Sequence, residues 1–202
     1  MDVNKEDDSP YYDGWANIYD KESKAKGYQG PNVAARALGR MLSGNRKEKV
    51  ILDFGGGTGL VGEELKKEGF EKMDILDSSD KMLEFARQRR VYQNVITAEV
   101  KGHNSTPLAG DSYDAVLGVA VFCTVGPSFA CFDIKEMIRL TKPGGILLVI
   151  LRTETLYSHL FRDKLLPLFE HLQSEGTWKQ LERSQFKYMY GVEGQLFVYQ
   201  IL

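Results

Sequence analysis

The stretch KVILDFGGGTGLVGEEL, residues 49–65, constrains this chain more than any other. An apolar run at 50–54, broken only by Asp53, leads straight into five glycines within eight residues, and a helix-like run follows. Such a turn between a strand and a helix offers bare backbone N–H groups to a negative or nucleotide ligand. Counted from Gly57, G-T-G-L-V-G matches the dinucleotide fingerprint G-x-G-x-x-G. Counted from Asp53, the stretch reads D-x-G-x-G-x-G, a nucleoside-binding loop. In the dinucleotide fold the first glycine directly follows the strand, with the others two and five positions on. The strand ends at Phe54, so the first place is Gly55, Gly57 fits the second, and the third falls on Leu60. The fingerprint is out of register with its own strand. A phosphate loop needs lysine and a hydroxyl after its last glycine, whereas Gly59 and Gly62 precede Leu60 and Glu63. The functional glycines are therefore Gly55, Gly57 and Gly59, and Gly62 is read as a close-packing residue of the helix. A turn that only lets strand and helix pack closely is the bland alternative.

From residue 50 onward, strand and helix patterns alternate. Strands are expected at 50–54, 73–76, 95–98, 113–122 and 146–151, and helices at 60–68, from Ser79 or Asp80, and at 133–141. Near-continuous apolar strands separated by helices imply a parallel sheet buried on both faces. Before this core, short helices are expected near 13–21 and at 32–42. After it, one helix is expected over 158–175, then strands at 185–190 and 195–202 separated only by 191–194. A loop that short joins antiparallel strands. The fold class is thus α/β, a Rossmann-like doubly wound and mostly parallel sheet ending in an antiparallel hairpin. Residues 1–10, acidic and polar, are expected to be a disordered tail.

Composition excludes several classes. With 43% hydrophobic and 27% charged residues the chain reads as an ordinary globular protein, and a formal charge of −2 argues against nucleic-acid binding by phosphate neutralisation. The two cysteines, Cys123 and Cys131, lack metal-ligand spacing and read as small apolar core residues, so no metal is expected. No apolar run approaches the roughly 20 residues that cross a bilayer, and the opening MDVNKEDDSP has no apolar signal region. A cytoplasmic protein without a membrane or an obligate protein partner is expected.

Asp77, one βα unit after the glycine loop, is placed to accept hydrogen bonds from two ribose hydroxyls, as an acid does in nucleotide folds. With ILDFGGGTG, DILDSSDKML, ITAEV, DSYDAVLGVAVF and LTKPGGILLVI in order, the chain resembles the class I S-adenosylmethionine-dependent methyltransferases from about Tyr12 to its end. YDGWANIYD and LYSHLFRDKLLPLFEHLQSEGTWKQL are similar to the methyltransferase-like proteins of the Williams–Beuren syndrome critical region. The resemblance implies seven strands and a single domain over 11–202, with a lid at 11–45, a cofactor-binding core at 46–152, and a helix plus hairpin at 153–202. It implies S-adenosylmethionine as cofactor and S-adenosylhomocysteine as product. Asp53, Gly55, Gly56, Gly57, Thr58 and Gly59 would hold the methionine and ribose portion. Asp77 would hold the ribose, Ser78 and Met82 the adenine, and Glu99 with Val100 the adenine edge. Gly118 and Val119 would close the site from the fourth strand, and Tyr12, Trp15 and Tyr19 would cover it.

Those three aromatics recur at spacings of three and four, which puts them on one helix face. A stripe packing on the sheet and a cofactor lid are both consistent with that. Methyl transfer from a sulfonium needs mainly positioning, and a general base only when the acceptor must lose a proton. His159 and Tyr157 are the candidate bases, and Arg152 and Glu154 join them around the acceptor; His171 and His103 rank below. The fourth strand lacks [ND]-P-P-[YF], and Cys123 follows Phe122 rather than proline. These absences, with the acidic pI, favour a small-molecule acceptor, or else a protein side chain, over nucleic acid. The competing classes are a non-catalytic S-adenosylmethionine-binding or regulatory protein and an NAD-dependent oxidoreductase.

Overall fold

A computed structural model describes residues 9–99, 106–122 and 127–202, with side chains described from Tyr12 onward and not for 127–132. Val100, His103, Cys123 and the side chain of Cys131 lie outside the described residues. Strands β1 (Val50–Phe54), β2 (Lys72–Asp77), β3 (Asn94–Thr97), β4 (Tyr113–Val119), β5 (Thr141–Arg152), β6 (Trp178–Met189) and β7 (Val192–Ile201) form one sheet in the order β3-β2-β1-β4-β5-β7-β6. The first five run parallel, and β7 is antiparallel to both β5 and β6. This is the expected doubly wound sheet with its terminal hairpin.

Side-chain alternation along each strand sorts the core into two layers. Leu52, Val116, Leu147 and Val149 pack with Ile134 and Met137 of α5 (Pro127–Leu140) and Phe169 and Leu172 of α7 (Leu165–Ser174). Ile51, Ala115, Leu117, Leu148 and Ile150 pack on the opposite face with Ala34 and Leu38 of α2 (Gly30–Met41) and Val61 and Leu65 of α3 (Leu60–Lys67). A strand buried on both faces has no polar face, which is why these strands read as continuous apolar runs.

Several boundaries differ from expectation. The first helix, α1 (Ser9–Ala25), starts inside the stretch expected to be a tail. Strand β4 stops at Val119 rather than at residue 122, because Ala120 turns to φ +65° just after the last ladder bond, its own N–H to the Ile150 carbonyl. The helix expected over 158–175 starts only at Leu165, as α7, and an unexpected short helix, α6 (Thr153–Tyr157), precedes the turns at 158–164. Pro167 explains the late start. In a helix running from 158 its ring would clash with the carbonyl four residues earlier, whereas in the first turn of α7 its missing N–H costs nothing. The hairpin turn is Tyr190-Gly191, with Met189 paired to Val192, so both strands are longer than expected.

That hairpin tip also holds the N-terminal helices. Tyr190 N–H donates to the Lys26 carbonyl, Gln29 N–H donates to the Tyr188 carbonyl, and the Tyr28 and Tyr188 rings lie 4.9 Å apart. The α1–α2 connection is thereby fixed to the sheet edge near the carboxyl end of β5, where Arg152 pairs with Gly194.

Candidate functional site

The loop after β1 folds back over the end of β2. Gly55 and Gly56 N–H groups both donate to the Leu76 carbonyl, at 2.7 and 3.2 Å. Gly55, Gly57 and Gly59 all have positive φ, the region only glycine enters without strain. A Cβ on Gly56 would stand 2.7 Å from the Asp53 carboxyl carbon and from Ile75, so that position has no room for a side chain. Val121 closes the loop from the β4 side, its Cγ1 2.4 Å from where a Gly55 Cβ would be.

Two carboxylates organise the loop. Asp77 ends β2; its Oδ2 accepts Gly57 N–H at 2.8 Å and its Oδ1 accepts Ser79 N–H at 2.9 Å. Burial pushes its carboxyl above the ordinary range, and the backbone donors of Ser79, Gly57 and Ser78 work against that. Asp53 is 1% exposed. Its Oδ2 accepts the Tyr92 hydroxyl at 2.6 Å, while Oδ1, equally buried, has no hydrogen-bond partner among the described residues. Burial pushes Asp53 up to about 7, opposed by the Tyr92 hydrogen bond and reinforced by the Asp77 charge.

Helix α1 lies across α4 (Asp80–Arg89) and is bolted to both halves of the loop system. Ser79, the N-cap of α4, accepts Met82 N–H and donates its hydroxyl to Asp13 at 2.6 Å. Two helical turns on, Asp20 accepts the Thr58 hydroxyl at 2.6 Å. Arg89 joins these parts, donating to the Thr58 carbonyl at 2.5 Å and pairing with Asp20 and with Glu63 of α3. Asp13, Ala16 and Asp20 form the inner face of the helix, Ala16 being 3% exposed. Tyr12, Trp15 and Tyr19 are half-buried and stand in contact with one another, Trp15 and Tyr19 edge-on at 4.8 Å. The helix is also anchored by its aspartates, Asp13 and Asp20.

The structure gathers Asp53, Gly55–Gly59 and Asp77 at the carboxyl ends of β1 and β2, with Gly118 and Val119 buried at the end of β4 beside them. Met82, 2% exposed, sits under Ser79, and Glu99 is exposed just beyond β3. The candidate bases are exposed. Tyr157 is 63% exposed and His159 is exposed in the turn after α6, and His171 faces Glu175 on α7. A hollow of about 210 Å³ at the end of β5 is lined by Arg152, Glu154, Thr155, Ser158, Leu160 and Phe161, without Tyr157 or His159. Sequence reasoning missed Tyr92, Arg89, Asp13 and Asp20. Only the last two left a trace, a seven-residue spacing that puts them on one side of a helix.

The family model described as "Methyltransferase domain" matches residues 52–149. Human methyltransferase-like protein 27 is 34% identical over 172 residues, which cover 85% of this chain and 68% of the human protein. Magnesium protoporphyrin IX methyltransferase (ChlM) from Synechocystis PCC 6803, solved with bound SAM, superposes with a TM-score of 0.73 at 15% identity over all of both chains. The methyltransferase in complex with the Haloferax volcanii Trm112 methyltransferase activator gives a TM-score of 0.71 at 18% identity, over 96% of this chain and 97% of that one. At such identities the two structures speak for the fold alone.

Proposed function

Because the chain belongs to the class I S-adenosylmethionine-dependent methyltransferases, close to methyltransferase-like protein 27, we propose that it moves the methyl group of that cofactor onto a small-molecule acceptor. The observation that carries this reading is the pair of carboxylates around a glycine loop without side chains. Asp77 takes the Gly57 and Ser79 N–H groups one on each oxygen, with the Ser78 N–H a further donor. Since a carboxylate accepts about four hydrogen bonds in all, capacity is left for a ribose hydroxyl. The unpartnered, buried Oδ1 of Asp53 suits the cofactor's ammonium group, since a buried carboxylate oxygen without a donor is costly and a cation there removes the cost. Positive φ at Gly55 and Gly57 and the lack of room at Gly56 let the backbone approach the methionine portion closely.

When bound, the cofactor supplies a methyl group on a sulfonium that is already an activated leaving group. The chain's own contribution is orientation and exclusion of water by α1. The acceptor is assigned to the hollow at the end of β5, where Arg152 and Glu154 offer polar contacts and Leu160 and Phe161 apolar ones. Residues 11–202 act as one domain in this reading, with 11–45 as the lid. The chain alone, without an obligate partner, is expected to turn over.

The test combines thermal shift with labelled-methyl transfer. S-adenosylmethionine and S-adenosylhomocysteine are expected to raise the melting temperature where NAD does not, and label is expected in the small-molecule fraction of a cell extract. Stabilisation by NAD alone would sink the methyltransferase reading. Binding without any labelled product would favour a cofactor-binding regulator, and label in protein or RNA would overturn the acceptor class.

The lid has its own test. Asp20→Ala removes hydrogen bonds to Thr58 and Arg89, worth about 1–2 kcal/mol where a charge is involved. Cofactor affinity is expected to fall about tenfold, with the unliganded melting temperature falling by about 2–8 °C. Calorimetry returning the wild-type affinity would show that α1 does not cover the cofactor.

A further inference from the structure

We infer that Tyr92 is a positioning residue of the cofactor site, its hydroxyl fixing the Asp53 carboxylate so that Oδ1 is presented to a cationic group; the inference rests on the cofactor reading above. Tyr92 lies between α4 and β3, 39 residues from Asp53, and touches the glycine loop at three places. Its hydroxyl accepts Gly62 N–H at 3.0 Å and donates to Asp53 Oδ2 at 2.6 Å. The direction of this relay is fixed. The Gly62 N–H can only donate to the phenol oxygen and an ionised Asp53 can only accept, so the hydroxyl's own hydrogen points to Asp53. Its ring fills the space beside Gly59 and Gly62, where added Cβ atoms would stand 2.8 and 2.4 Å from ring atoms.

Gly62 is the third residue of α3, and Gly59 caps that helix without a side-chain hydrogen bond. The first N–H groups of a helix have no partner within it, and they carry the positive end of its dipole. Tyr92 satisfies one of them from a distance and passes that polarity to Asp53. A side chain at position 62 would expel the ring, which accounts for the glycine there. With Oδ2 tied to Tyr92, the carboxylate cannot rotate freely, and Oδ1 is the oxygen left for a ligand.

The groups around Asp53 give this arrangement a pH signature. Asp77 faces it from β2, Tyr92 from the β3 side, and Arg89 of α4 lies beyond Tyr92, paired with Asp20 of α1 and Glu63 of α3. Asp53 is pushed up to about 7 by burial, and the Tyr92 hydrogen bond holds it lower than burial alone would. A cation binds the ionised form, so affinity is lost as pH falls through about 7, approaching tenfold per unit below it. Without ligand the sign is opposite. A carboxyl raised in the folded state contributes stability that is present at low pH and lost as pH rises through about 7.

The experiment is calorimetric titration of S-adenosylmethionine from pH 5.5 to 8.5 into the wild type, Tyr92→Phe and Asp53→Asn. Tyr92→Phe keeps the ring against Gly59 and Gly62 and removes only the relay. The wild type is expected to release close to one proton on binding below the midpoint. In Tyr92→Phe the midpoint is expected to move up by at least about half a pH unit, with affinity near pH 7 reduced about three- to tenfold. Asp53→Asn, with nothing to titrate, is expected to bind weakly with a flat profile. A Tyr92→Phe protein that melts lower yet keeps the wild-type midpoint and affinity would reduce Tyr92 to a helix cap and overturn the inference. A wild type that does not bind S-adenosylmethionine at any pH would overturn the functional reading itself, a result distinct from an unmoved midpoint.

Discussion

Replacing Asp77 with alanine is expected to weaken S-adenosylmethionine binding about 100-fold. A ribose hydroxyl donating to a half-buried carboxylate is worth roughly 1.5–3 kcal/mol, and at the high end of that range it contributes about 3 kcal/mol. The substitution also strips Gly57 N–H and Ser79 N–H of their acceptor, so the loop loses the anchor that sets its distance from β2. Asp77→Asn separates the two effects. Its carbonyl can still accept one backbone donor, but the charge is gone, and it is expected to lie between alanine and the wild type. Equilibrium dialysis or calorimetry reads the result, and wild-type affinity in Asp77→Ala would mean that the ribose is held elsewhere.

The largest loss of stability is expected from Trp178→Ala. Trp178 opens β6 and is 1% exposed. It stacks on Tyr199 at 4.0 Å with an interplanar angle of 11° and meets Phe169 edge-on at 5.5 Å. Its indole N–H donates to the Phe169 carbonyl at 3.1 Å. One side chain thus joins β6, β7 and α7, and deleting it leaves a cavity that this aromatic cluster cannot close. A loss of about 3–5 kcal/mol is expected, which for a chain of this size lowers the melting temperature by roughly 6–20 °C. Trp178 pairs with Ile201, and the neighbouring Gln200 pairs with Ile146 near the start of the regular part of β5, the pole opposite the glycine loop. Protein that remains folded is therefore expected to bind cofactor normally. A melting shift under about 3 °C would show that the cluster relaxes around the gap.

Much of the fold was legible in the chain, and for a local reason. Strand β1 ends at Phe54 as the apolar run predicts, and that boundary alone settles the glycine register. Ser79 caps α4 as its position before the helical run suggests. The errors are also local in origin. Apolar pattern carried β4 on to residue 122, and only the left-handed backbone at Ala120, after its last ladder bond to Ile150, ends it. The late start of α7 was written in Pro167 and overridden by an apolar pattern that looked continuous from 158.

The candidate site divides in the same way. The loop glycines and Asp77 were found because strand, turn and helix place them within one βα unit of each other. The Asp53–Tyr92–Gly62 relay and the Asp20–Arg89 clamp were not found, since they join residues 30 to 69 positions apart. A tyrosine after RQRRV and an aspartate in an N-terminal helix look like ordinary surface residues in sequence. By itself the sequence determined the order of strands and helices and the register of the loop, because both follow from periodicity and from the backbone freedom of glycine. Which side chains tie that loop down, and which carboxylate oxygen is left unpartnered, was decided by tertiary packing. A hydrogen bond depends on distance in space, and only the folded sheet brings those residues within reach.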